Sequence, residues 1–138
     1  MTFDAEHWLE VANLCCIPIP DVDRQALLRT AVNRVYYAAL LCLKRRIEAA
    51  QGRGTVPRAG THEAILQAVR TGGEPLRLLH AELERMRRLR ARVDYELDGD
   101  PLVPELVQKQ VRAGRRLIRN EIKALPESVF GRLSVPPG

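Results

Sequence analysis

From Asp21 to Gln51 the chain runs without a proline or a glycine, and Leu28, Val32, Val35, Tyr36, Ala39, Cys42, Leu43 and Ile47 recur along it at helical spacing. On a helical wheel these residues share one broad face. The pattern predicts a long helix from the capping aspartates Asp21 and Asp23 to about Ala50. Ala31, Ala38 and Leu41 carry the apolar surface further round the cylinder, beside Arg34 and Tyr37. That leaves less polar face than a helix covered on one side requires. Either neighbours within one bundle cover it, or the second surface, with Arg34, Tyr37 and Leu41, is a homodimer interface or a cleft.

The remaining helices are set off by prolines and glycines. A first helix spans about Asp4 to Cys16 and is closed by Ile17-Pro18-Ile19-Pro20. Gln51 to Gly60 is a loop, Gly-rich but without the GK[ST] ending of a phosphate-binding loop. Thr61 caps a short helix to about Thr71, and Gly72-Gly73 breaks it. Pro75 opens a fourth helix to about Leu97, Asp98-Gly99-Asp100-Pro101 turns the chain, and Pro104 begins a fifth that ends near Leu125-Pro126. No stretch alternates as a strand would. With 138 residues the expectation is one all-α domain, a four-to-five-helix up-and-down bundle over residues 1–126, with a partly extended or mobile tail at 127–138.

An apolar content of 46% with 28% charged residues is ordinary for a soluble globular protein. No apolar run approaches the ~20 residues of a membrane span, and the N-terminus lacks the order of a signal peptide, so a cytoplasmic protein is expected. Cys15 and Cys16 are adjacent and Cys42 sits in a helical pattern. These are reduced structural thiols rather than a disulfide framework or a zinc site. No metal or cofactor is expected.

The net charge of +5 is localised. Residues 85–126 hold 11 of the 22 basic side chains but only 6 of the 17 acidic ones, which places the whole excess there. On the fifth helix Lys109, Arg112, Arg115, Arg116, Arg119 and Lys123 fall opposite the apolar side, with no acidic residue among them. A solvated face is usually mixed in sign. The stripe therefore reads as a contact for RNA or another polyanion, with a solvated face or an acidic protein partner as the alternatives.

The fourth helix carries Arg85, Arg87, Arg88, Arg90 and Arg92, then Asp94 and Tyr95. Arg85, Arg88 and Arg92 point away from the apolar arc, as RNA-facing or solvated groups. Arg90 projects inside it, where an unpaired charge costs several kcal/mol. Asp94, one turn on, is its partner, in a buried structural pair or in a polar cleft. The carboxylates Asp94, Glu96, Asp98 and Asp100 match no calcium loop. His80 and Glu84 read as a surface pair, and His62 as a surface or cap residue.

Asn33-Arg34-Val35-Tyr36-Tyr37-Ala38-Ala39-Leu40 on a long helix, Thr61-His62 opening the next, and Arg90-Ala91-Arg92-Val93-Asp94-Tyr95 closing an arginine-rich one stand in that order. Together they resemble a HEPN domain, and more narrowly the small bacterial HEPN proteins with an R-x-x-x-D-Y pattern. The resemblance covers roughly Ala5 to Leu125. It implies a helical bundle that dimerises around its fourth helix. It also implies kinship with metal-independent ribonucleases, often toxins paired with a nucleotidyltransferase antitoxin. Those enzymes use R-x4–6-H, and here Tyr95 stands where Arg90 would call for a histidine. No R-x4–6-H occurs anywhere in the chain.

A phenol with a reference pKa near 10 is a poor base at neutral pH. The resemblance therefore implies an RNA-binding homodimer of weak or no catalytic activity, with Arg90, Asp94 and Tyr95 forming the cleft. One alternative is an endoribonuclease toxin using Arg90 and Tyr95. The other is an interaction module docking an acidic partner such as a nucleotidyltransferase, with Tyr95 as a nucleotidylation target.

Overall fold

The computed structural model describes residues 4–95 and 101–137, and among these every regular element is helical. The order is α1 (Glu6–Leu14), α2 (Arg24–Gln51), α3 (Thr61–Arg70), a 3₁₀ turn (Glu74–Leu76) leading into α4 (Arg77–Tyr95), α5 (Pro104–Arg116) continuing as a π-helical segment (Leu117–Ile122), and α6 (Glu127–Gly131). The expected end of the fourth helix at Leu97, the turn at Asp98 to Asp100, and the carboxylates Glu96, Asp98 and Asp100 lie outside the described residues.

α2 is the central element, packed by α1, α4, α5 and α6 and touched by α3. Asp23 starts it, its carboxylate accepting a hydrogen bond from the Ala26 N–H at 2.8 Å. Ala31 and Ala38 are fully buried within the chain. Of the extra apolar surface, Ala31 and Ala38 are thus covered by the bundle itself, while Leu41 stays half-buried. α1, α5 with its π-helical continuation, α4 and α3 form an arc around α2, α4 touching the π segment. Gly114 lets α5 approach closely, since a Cβ there would lie 2.7 Å from Val35 Cγ1.

The sequence placed the cap of α3 one residue late. Gly60, in the left-handed region at φ 70°, occupies the N-cap, while the Thr61 hydroxyl donates backwards to the carbonyls of Pro57 and Arg58. A threonine oriented that way makes no cap to its own helix. The fifth helix also departs from expectation, because after Arg116 it widens, with the Lys123 N–H bonded to Ile118 C=O at 2.7 Å. Winding i→i+5 offsets every later side chain from the α-helical wheel.

Residues 127–137, expected as a partly extended or mobile tail, hold a short helix and are anchored on the bundle by three side chains. Phe130 is fully buried, Val129 and Leu133 nearly so, and α6 packs on α2. The Gln51 side-chain amide donates to the carbonyls of Phe130 and Leu133 at 2.8 and 2.7 Å, and the Arg46 guanidinium lies 4.7 Å from the Phe130 ring centre. Arg46 also donates to the carbonyls of Lys123 and Leu125. Two polar side chains of α2 thus satisfy backbone groups that the end of the π segment and the short α6 leave without helical partners.

Cys15, Cys16 and Cys42 are free thiols, and burial pushes Cys42 up to about 11. Among the described residues no helix is long and apolar enough to cross a membrane, and no cluster of His, Cys, Asp and Glu is placed to hold a metal ion.

Candidate functional site

Two helical turns bring the polar residues together. Asn33 and Tyr37, four apart on α2, share a face, and so do Arg90 and Asp94 on α4. Where these faces meet, Arg90 Nε donates to Asn33 Oδ1 at 3.2 Å and lies 3.3 Å from Asp94 Oδ2, while Arg90 Nη2 donates to the Tyr37 hydroxyl at 3.1 Å. The Asn33 amide donates to Asp94 Oδ1 at 3.1 Å and closes the network. The guanidinium also lies 5.6 and 5.3 Å from the ring centres of Tyr36 and Tyr37.

This arrangement is a cleft rather than a sealed ion pair. Roughly a quarter of each charged side chain is exposed, 26% for Arg90 and 27% for Asp94. Arg90 opens on a groove of about 390 Å³ between α3 and α4, lined also by Arg70, Arg87, His62, His80 and Glu84. Arg87 is held by Glu84 at 3.0 Å. Burial pushes the Tyr36 hydroxyl up to about 12, against the pull of Arg90 and Arg87, so it stays protonated at neutral pH. Tyr95 stands on the rim of this groove with 81% of its surface exposed.

His62, expected as a surface or cap residue, stands half-buried in the first turn of α3 and belongs to the site. It opens α3 with its ring centre 5.2 Å from that of Tyr37 and 6.0 Å from that of Tyr36. It lines the Arg90 groove on one side and, on the other, a slot of about 280 Å³ between α1 and α3. Arg34, Tyr37 and Leu41, the three α2 residues expected at an interface or cleft, all line that slot. The clue to His62 lay in the cap. With Gly60 as N-cap, His62 is in the first turn of α3 and faces α2.

Burial, and then the nearby Arg90 charge, hold the His62 pKa below its ordinary 6.5, with Glu63 opposing. A histidine lowered in the fold stays neutral where the unfolded chain already binds a proton. Its stabilising contribution is therefore complete above pH 6.5 and is lost as pH falls through that value toward the lowered one. The melting temperature is expected to drop between about pH 7 and pH 5, and to drop less in His62→Gln. Thermal unfolding across that range checks it, and equal pH profiles for the two proteins would refute it.

The basic stripe is divided by its surroundings. Arg119 pairs with Glu6 at 2.6 Å, and Lys123 pairs with Glu6 at 3.1 Å and Asp4 at 3.3 Å. For Glu6, burial raises the pKa, but hydrogen bonds from Arg119 and Lys123 outweigh it and leave the group lowered. Lys109, Arg112, Arg115, Arg116, Arg119 and Asn120 nevertheless line one open groove, with no carboxylate among its walls. On α4, Arg85, Arg88 and Arg92 are all exposed, Arg85 bonded to Glu82. No family model matches the chain, and neither the curated proteins nor the solved structures offer a match.

Proposed function

We propose that the chain is an RNA-binding helical bundle of the HEPN type, holding the phosphodiester backbone along α5 and at Arg90, and acting by binding more than by cleavage. The observation that carries this is the α5 groove, lined by five basic side chains and no carboxylate, of which Arg119 alone is seen paired, with Glu6 from outside the groove. Such a surface gathers counterions that a polyanion displaces. The family resemblance extends the proposal to a toxin–antitoxin or defence setting. A homodimer would have to use a surface other than the buried alanines of α2.

Cleavage through Tyr95 has little support, because a phenol is in general a poor base at neutral pH and Tyr95 stands exposed on the rim of the groove. The ribonuclease alternative is better served by His62, which shares the groove with Arg90 and whose ring lies against Tyr37. Incubation with cellular RNA beside Arg90→Ala tests it, and cleavage that does not depend on Arg90 excludes it.

Binding itself is tested by fluorescence anisotropy over a salt series. Log affinity should fall linearly with log salt, by about 0.7 for each single-strand phosphate neutralised. Replacing Lys109, Arg112 and Arg116 together by Gln should lower that slope by about 2 and weaken binding at least about tenfold at low salt. An unchanged slope would overturn the proposal for α5.

A further inference from the structure

The chain is poor in aromatic residues, with one tryptophan, three tyrosines and two phenylalanines. Four of these six, Trp8, Tyr36, Tyr37 and Tyr95, line the two adjoining cavities that share His62 as a wall. Tyr36 is also fully buried in the core, as is Phe130 toward the far end of α2, whereas Trp8, Tyr37 and Tyr95 keep part of their surface open to the cavities. The slot between α1 and α3 exists because the arc of helices around α2 does not close, with no extensive packing between α1 and α3.

The walls of the slot are of two kinds. Trp8, Tyr37, His62, Leu40, Leu41 and Ile65 make it flat-sided and apolar. Arg34 and Lys44 add positive charge with no carboxylate, and the Arg34 guanidinium stacks 4.8 Å from the Trp8 ring centre and 5.9 Å from that of Tyr37. At about 280 Å³ the slot lies just under the roughly 300–1,000 Å³ of pockets that enclose a drug-sized ligand. It suits a single flat ring. It is too small for the apolar face of a partner helix.

We infer that this slot receives an unstacked base of single-stranded RNA, seated against Trp8 and Tyr37, while its flanking phosphates meet Arg34 and Lys44 on one side and Arg90 across His62 on the other. The inference rests on the RNA-binding reading above and narrows it to a substrate class. Aromatic faces accept any base, because every base has a π surface, whereas the bases of a duplex remain stacked and present only their edges. The hydrogen bond from Arg90 to the Tyr37 hydroxyl ties the stacking ring to the phosphate site, so both parts are aligned before RNA arrives.

Trp8 is the sole tryptophan, so its emission reports on the slot directly. A short oligoadenylate RNA should quench it on binding and should bind about tenfold or more tightly than an abasic RNA of equal length and charge. A blunt RNA duplex should bind without quenching. Tyr37→Phe should keep the quench and Tyr37→Ala should lose most of it, while the oligonucleotide comparison needs no variant to fold. Quenching absent at saturation, or equal affinity for the abasic strand, overturns the base slot and leaves α5 binding intact. If none of the three nucleic acids binds in a salt-dependent way, the RNA-binding reading itself falls.

Discussion

Phe130→Ala is expected to destabilise the fold by about 3–5 kcal/mol, measured by urea denaturation. The ring is fully buried against α2 and lies under the Arg46 guanidinium. Its removal opens a cavity and also loosens the carbonyls of residues 123–133 that Arg46 and Gln51 hold. Since a domain of this size has a total stability of about 5–15 kcal/mol, the variant should sit near its unfolding threshold. Ending the chain after residue 126 should do at least as much damage, because Val129 and Leu133 leave with Phe130. Ser128→Ala, on the exposed side of α6, should be neutral and serves as the control. A Phe130→Ala variant as stable as the parent would return residues 127–137 to the periphery.

The reason this segment reads as a tail in the sequence is physical. α6 spans only Glu127–Gly131, too short for any periodicity to emerge, and Gly131 with the prolines that follow argues locally against regular structure. Its order comes from tertiary contacts that no local pattern records. The long helix α2 is the opposite case. Its apolar spacing, its aspartate cap and the absence of breakers all agree, and the helix runs Arg24–Gln51 with Asp23 as its cap.

Legibility of the site follows the same division. Arg90 was marked by conflict, a guanidinium on the apolar arc of its own helix, and Asp94 was the nearest charge that resolves it. That pairing is local and was visible. Asn33 and His62 complete the cleft from 57 and 28 residues away in sequence, so no spacing rule on α4 points to them. The basic stripe was legible as a face but not as an environment. Asp4 and Glu6 reach Arg119 and Lys123 only because α1 lies against α5 and the π segment shifts the last turn.

Arg90 is where structure and binding separate most clearly. Arg90→Ala is expected to lose about 1–3 kcal/mol of stability, because Asn33, Tyr37 and Asp94 lose a shared cation while Asp94 keeps partial access to water. A sealed ion pair broken in this way would lose more. The same variant should weaken RNA binding by about tenfold or more, the loss of one charge-assisted phosphate contact. Arg90→Lys should recover charge but not the fork that reaches Asn33, Asp94 and Tyr37 together, so it should restore binding in part and stability least.

Asp94→Asn supplies the decisive sign. It too should lower stability, by removing the counter-ion of Arg90, but it leaves the arginine more positive toward the groove and should tighten RNA binding. A structural role alone would make both variants less stable and leave affinity unmoved. Affinity shifts of opposite sign at Arg90 and Asp94, with stability falling in both, require a guanidinium that faces the ligand while its carboxylate partner restrains it.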